Sequence, residues 1–506
     1  MLEYWSGSAA DPRVDPSADP PPGGPLADPP AASHADPHPD PHPDPRVDLH
    51  VEVDTVDGRR VGLERALRAA IRDGRLVPGA PLPSTRGLAG RLGFARGTVT
   101  AAYDQLVAEG YLTARPGAVT RVADVPRPAP TTPASASPAA ATVPRFDLRP
   151  GLPDGSAFPA AAWLRSTRRV LSGAPAAIHG VGDPQGRIEL RTALADHLGR
   201  TRGVLTTPDR IVITSGFYQS VGLLAAVLGD AGVHAVGMED PGHDVYRDVV
   251  RRAGRTVVPL PVDTDGARFE RLADRGVGAV VVTPAHQYPT GVPLLPRRRH
   301  ELCGWARETG GLIVEDDYDG EFRYDRQPVG ALQGMAPEHV AYCGSVSKTL
   351  GPGLRLAWLA LPRRLVEPVV TAKLRADFHT HTLGQLVLAD LIVRHDYDRH
   401  VRAARLSYRR RREHLVGRFA AERALGAYGF QGVPAGLHVL VTLPADGPTE
   451  PDLLATCAER GIALRGTREL WHGTPRRQGL LVGFAAPAEH AWPATLDALA
   501  AVLREG

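Results

Sequence analysis

Residues 345–359 read SVSKTLGPGLRLAWL: one lysine set between serines and an arginine, entered from the apolar run VAYC and a glycine and left through a second apolar run. Of the 59 lysines and arginines in the 506-residue chain, only 348 and 373 are lysine. A role that any cation fills therefore falls to arginine here. A lysine amine does what a guanidinium does not, because it loses its proton and attacks an aldehyde to form a Schiff base. Lys348 is the candidate nucleophile, and Lys373 is expected to be an ordinary surface lysine.

Working outward, a chain of this length exceeds one hydrophobic core and implies two to four domains. Its net charge of +3 gives no global field for nucleic acid, so any basic surface must be local. Cys303, Cys343 and Cys457 show neither CxxC spacing nor even pairing, which suits a reducing cytosol and argues against disulfides or a zinc site. No apolar run reaches the roughly 18 residues of a membrane span, and no signal core opens the chain. A cytoplasmic protein without a membrane partner is expected.

Residues 1–48 form an Asp/Pro/His-rich tail, densest in ADPHPDPHPDPRVD, whose composition predicts disorder; His34, His38 and His42 fit a solvated tail better than a metal site. Residues 49–123 then read as a compact unit. GLERALRAAIRDG has apolar residues at helical spacing, Ser84 is placed to cap TRGLAGRL, Gly93 breaks that helix, and ARGTVTAAYDQLVAEG opens a third. YLTARPGAVTRVA reads as two short strands around Pro116 and Gly117. Short helix, glycine turn and longer helix make a helix-turn-helix, and the strands make its wing. Six arginines against two acids between Arg75 and Arg121 supply the local charge. Arg96, Thr98 and Thr100 start the recognition helix, where side chains reach base edges, whereas Arg86 and Arg115 suit phosphates or a minor groove. The stretch LPSTRGLAGRLGFARGTVTAAYDQLVAEGYLTA resembles the winged helix-turn-helix of GntR-type bacterial regulators, which implies double-stranded promoter DNA as partner.

Residues 124–144 are a Pro/Ala/Ser/Thr linker, and from 145 to 506 strands alternate with helices, predicting a mostly parallel covered sheet with a smaller C-terminal α/β subdomain from about 366. Several strand ends carry chemistry. Asp316 ends LIVED with Tyr318 two residues on, Ser345, Ser347 and Arg355 flank Lys348, Ser215, Gly216 and Phe217 open a helix, and His243 follows EDPG. Pyridoxal phosphate (PLP) requires such a set: an amine for its aldehyde (Lys348), an acid at the ring nitrogen (Asp316), a partner for the phenolic oxygen (Tyr318), donors for the phosphate (Arg355, Ser345, Ser347 and the backbone at 215–217) and a side chain over the ring (His243).

This order resembles the fold-type I aminotransferases, and with the head the architecture is similar to the MocR subfamily of GntR regulators, as are the stretches HQYPTG, EDDYDGEFRY and SVSKTLGPGLRL. The resemblance implies a multidomain protein, a winged helix-turn-helix fused to an α/β PLP-dependent transferase domain whose sheet has seven strands, one of them antiparallel. It further implies a head-to-tail homodimer, an aldimine on Lys348 used for sensing, and control of vitamin B6 or amino-acid genes. The chain departs from the pattern at Val181 in HGVGDPQG, at His243 where relatives carry tyrosine or tryptophan, and at Leu481, where an aminotransferase places its carboxylate-clamping arginine. Arg476 and Arg477 are close in sequence but read as loop surface. Without that clamp a PLP-responsive regulator is expected, with PLP itself or an amino acid or amine as effector. The alternative is an active aminotransferase with an accessory head, and a PLP-free repressor scaffold stands third.

Overall fold

The computed structural model describes residues 53–125, 144–173, 175–324 and 329–505. The tail at 1–48 and nearly all of the linker lie outside them. The chain divides into two units, 1–140 and 141–506.

In the first unit three helices, α1 (Arg59–Arg72), α2 (Thr85–Leu92) and α3 (Arg96–Ala108), precede the antiparallel strands β1 (Leu112–Thr113) and β2 (Arg121–Val122). The helix ends follow from local chemistry. The Ser84 hydroxyl accepts from the Gly87 N–H at 3.1 Å, and Gly93 takes the left-handed conformation that closes α2. Leu63, Leu67, Leu88, Val99, Leu106, Leu112 and Val122 close a core of their own.

The second unit is built on one sheet. After β3 (Phe146–Asp147), α4 (Ala160–Gly173) and α5 (Ile188–Arg202) come β4 (Ile211–Thr214), α6 (Phe217–Asp230), β5 (Ala235–Asp240), α7 (Asp244–Arg252), β6 (Thr256–Asp263), β7 (Gly266–Ala267), β8 (Val277–Val282), α8 (Pro296–Thr309), β9 (Leu312–Asp316), β10 (Val340–Ser345) and β11 (Ala357–Ala360). The sheet order is β4-β11-β10-β9-β8-β5-β6-β7. Seven strands carry the sheet and β11 alone among them runs antiparallel, as the resemblance implies; the two-residue β7 adds an antiparallel edge to β6. Runs such as VGAVVV are apolar throughout because both faces are covered. Val212 packs on the side of α6 while Ile211 and Ile213 pack on the side of α5, the period-two alternation of a strand.

The remainder comprises α9 (Arg363–Asp377), α10 (Thr382–Val393), α11 (Asp396–Ala421), β12 (Gly429–Gln431), β13 (His438–Thr442), α12 (Glu450–Glu459), β14 (Ile462–Ala463), β15 (Arg465–Gly466), β16 (Gly479–Gly483) and α13 (Trp492–Glu505). An antiparallel sheet β12-β13-β16-β15 and α11 to α13 enclose a separate core. The expected subdomain start near 366 needs correction. Val369 of α9 and Val387, Leu388 and Leu391 of α10 are buried in the cores of the large sheet, and the small core draws on Leu148, Phe322 and residues from Ala404 onward.

Candidate functional site

β10 and β11 pair from Tyr342↔Ala360 to Ser345↔Ala357, and the Val346 N–H donates to Leu356 O at 3.1 Å, so the stretch carrying both Lys348 and Arg355 is one hairpin loop. The Lys348 Nζ donates to Gly151 O at 2.7 Å and faces a cavity of about 420 Å³. Gly151 has φ +74, and a Cβ there would stand 2.8 Å from Nζ, so glycine meets both a backbone and a space requirement. Burial holds the amine below its ordinary value although Asp316 and Asp319 pull it upward. A neutral amine is the nucleophilic form.

The acidic run EDDYD is buried, and each of its members does something different. Glu315 accepts the N–H groups of Leu332 and Gln333 at 2.8 and 2.9 Å. Asp316, ending β9 beside Cys343, lines the cavity; burial pushes its carboxyl well above the ordinary value, opposed by Lys348. Asp317 takes a two-point contact from Arg202 at 2.6 and 2.8 Å, and Tyr342 Oη donates to it at 2.7 Å. Asp319 accepts from His286 Nδ1 at 2.8 Å. Tyr318 also lines the cavity, with its hydroxyl donating to His286 O at 3.0 Å and lying 3.1 Å from His286 Nδ1.

The residues expected around a phosphate form an adjoining group. Gly216 has φ +123, and a Cβ on it would stand 2.6 Å from Arg355 Nη2, so the guanidinium lies on the start of α6. Arg355 itself has φ +52, a conformation that β-carbon sterics disfavour and that its surroundings must hold. A cation against the positive end of a helix calls for an anion between them. Phe217 links this group to the cavity through Tyr246, with ring centroids 4.6 Å apart. Ser345 and Ser347 sit half-buried on the Lys348 loop, the Ser347 N–H donating to Ser345 Oγ at 3.4 Å. The Ser215 N–H is already committed to Gln219 Oε1 at 2.8 Å, so of the three backbone donors expected there, 215 serves its own helix.

Lys373 is not a surface residue. It is fully buried and pairs with Asp377 at 2.6 Å; Asp377 accepts from Gln219 at 2.7 Å, and Gln219 holds Ser215. Its stem packs in the interior while its amine reaches a carboxylate, a placement that composition does not reveal. Both lysines therefore serve the same end of the sheet.

His243 lines the cavity, stacked on Tyr246 with centroids 3.9 Å apart and 5.3 Å from Tyr288. Burial lowers it to about 4, so it is a neutral ring. Tyr246, Tyr288, His438 and Arg465 also form the wall and lie outside the expected set; Tyr246, one helical turn after His243, was legible from its spacing. Val181 is exposed, Leu481 is fully buried against Leu440 and Leu470, and Arg476 and Arg477 line a different hollow.

In the head, Arg96 opens α3 with Thr98 and Thr100 half-buried on its first turns. Arg86 on α2 and Arg115 between the wing strands are exposed like Arg96, and none of the three pairs with a described residue. Arg121 instead donates to Gly79 O at 2.8 Å.

A winged head and a body whose sheet brings an amine, a buried acid and a helix-bound guanidinium to one edge define a regulator built on an aminotransferase fold. Residues 60–122 match the gntR family of bacterial regulatory proteins, and residues 147–471 match aminotransferase class I and II. The chain is 33% identical to the uncharacterized HTH-type transcriptional regulator YhdI of Bacillus subtilis (83% of this chain, 90% of that one). It is 31% identical to the HTH-type pyridoxine biosynthesis transcriptional regulator PdxR of Corynebacterium glutamicum (84% and 92%), and 31% to the probable rhizopine catabolism regulatory protein MocR of Rhizobium meliloti (84% and 89%). An archaeal alanine:glyoxylate aminotransferase superposes with a TM-score of 0.65 at 25% identity, covering 71% of this chain and 91% of its own. LysN of Thermus thermophilus, solved with N-(5'-phosphopyridoxyl)-L-leucine, gives 0.63 at 22% (71% and 92%). The chain belongs to the MocR-type regulators, which join a gntR-family head to a class I and II aminotransferase body.

Proposed function

We propose that this regulator reads promoter DNA with its winged head and responds to PLP bound in its aminotransferase body. The observation that carries the reading is the hairpin that presents the Lys348 amine, held by burial below its ordinary pKa, to the cavity while laying Arg355 on the start of α6. The residues fit the group: Lys348 would meet the aldehyde, Asp316 the ring nitrogen, Tyr318 the phenolic oxygen, His243 the ring face, and Arg355 the phosphate with Ser345, Ser347 and the backbone at Gly216 and Phe217. When bound, PLP supplies an aldehyde that a primary amine captures covalently. What the chain supplies is a desolvated amine, an acid kept from water, and a cationic anchor. Arg96, Thr98 and Thr100 read bases while Arg86 and Arg115 hold phosphates. The similarity to PdxR favours vitamin B6 genes as targets, with amino-acid genes next, and a head-to-tail homodimer in the cytoplasm is the assembly we favour. Among the described residues no helix is long and apolar enough to cross a membrane.

Cofactor binding acts on DNA only if PLP binds two arrangements of the protein with different affinity. The test is a DNA titration with and without PLP, alongside visible spectra of wild type and Lys348→Ala. A PLP-dependent change in affinity or footprint, and an absorbance band lost in the variant, are expected. Identical titrations, or an unchanged spectrum, would defeat the reading.

A further inference from the structure

Three buried side chains from three separate segments meet beside the cavity. His286 follows β8, Asp319 follows β9 and His438 opens β13, and one ligand-bearing atom of each lies within 4.8 Å of the others. His286 Nδ1 stands 2.8 Å from Asp319 Oδ2, and the two imidazole rings are 5.2 Å apart between centroids. His438 is 2% exposed and neither of its ring nitrogens makes a hydrogen bond; the Pro289 carbonyl interacts with the ring without reaching that geometry. Buried polar atoms are nearly always paired, so an imidazole whose lone pair meets nothing calls for a partner.

Size and charge both point to a cation as that partner. A tetrahedral ion with bonds of about 2.1 Å holds its ligand atoms about 3.4 Å apart. The His286–Asp319 pair is somewhat closer than that and the 4.8 Å limit somewhat wider, so modest side-chain rotation brings the three to it. Asp319 is a buried carboxylate whose ion-pair partner among the described residues is His286. A buried anion needs a counter-charge. Space beside the pair is kept by Gly436, at φ +69, where a Cβ would stand 2.4 Å from both Asp319 Oδ2 and His286 Cε1. Two imidazoles and one carboxylate are a donor set for a borderline divalent metal, and three protein ligands leave one position for water.

We propose that His286, Asp319 and His438 bind one divalent transition-metal ion of the zinc class. The ion ties the loops after β8 and β9 of the large sheet to the first residue of β13 in the small one. It lies next to the cavity without drawing on the residues assigned to PLP: His438 and Tyr318 line the cavity, and Tyr318 Oη is 3.1 Å from His286 Nδ1. The cysteine spacing that argues against a zinc site speaks only of thiolates. These three ligands come from distant stretches that the fold alone brings together.

Full-length protein without an affinity tag is stripped with a chelator and titrated with cobalt(II), then with zinc(II). Each visible spectrum is taken as the difference from the metal-free sample, so that any cofactor band cancels. Wild type is expected to develop the d–d band of low-coordinate cobalt, saturating at one equivalent per chain and displaced by zinc. His438→Gln and Asp319→Asn are each expected to weaken binding about 100-fold or more, since loss of even a supporting partner costs about 10–100-fold. His438→Cys keeps a ligand and is expected to retain the ion with an added thiolate-to-cobalt charge-transfer band, which a misfolded chain would not show. Joint replacement of His34, His38 and His42 by alanine is expected to leave the signal unchanged. Absence of a one-equivalent signal in wild type, equal affinity in the ligand variants, or loss of the signal in the tail variant overturns the proposal. PLP enters none of these readouts, so failure of either reading leaves the other standing.

Discussion

Four consecutive arginines at 409–412 in α11 and three scattered ones at 86, 96 and 115 in the head carry the same charge and face opposite situations. In the body, Arg409 pairs with Glu413 and Arg410 with Glu489. Arg411, 2% exposed, binds Asp154, Glu489 and the carbonyl oxygens of Ala485 and Pro487. Burial lowers Arg412. The densest basic run in the described chain is thus structural, and the sparse set in the head is the one left for a polyanion. A guanidinium is available to DNA when the fold gives it no other partner, however few its neighbours.

That contrast is open to direct attack. The largest effect is expected from Arg411→Ala, which strands the buried Asp154 carboxylate; breaking a buried pair costs about 3–5 kcal/mol, so the denaturation midpoint of the body falls steeply. A midpoint within error of wild type would mean that the run is not structural. Next comes Arg96→Ala, expected to weaken operator binding by about 1–3 kcal/mol with unchanged thermal stability and cofactor spectrum. Joint loss of stability and binding would place Arg96 with the structural arginines. Arg86→Ala and Arg115→Ala are each expected to weaken binding alike on specific and random DNA and to reduce the log–log salt slope by about 1; sequence-dependent losses would turn phosphate contacts into base contacts. The smallest effect is expected from Arg409→Ala, whose exposed i,i+4 pair is worth at most about 0.5 kcal/mol. A drop in DNA affinity there would extend the binding surface into the body.

Much of the fold was legible because the signals are local. Ser84 and Gly93 mark the ends of α2 within a few residues, and the apolar runs before Asp316 and Lys348 read as strands covered on both faces. The packing of α9 and α10 was not, since an Arg-rich helix pattern does not say which sheet its apolar stripe meets. Four site residues, Lys348, Asp316, Tyr318 and His243, come together in one cavity, and Arg355, Gly216 and Phe217 adjoin it. Much of what surrounds the site depends on pairings that sequence hides. Arg465 meets Leu481 only through β15–β16 register, Lys373 reaches Ser215 through two intervening side chains, and His286 joins Asp319 from a loop 33 residues earlier.

The bond from Lys348 to Gly151 spans 197 positions of sequence, yet Gly151 lies only seven residues after 144, where the described body begins. That carbonyl is satisfied by an ammonium or amine with a hydrogen to give. Any chemistry that consumes the nitrogen's hydrogens leaves an orphaned acceptor in the buried turn after β3, so the first trace of occupancy falls close in sequence to where the described body begins.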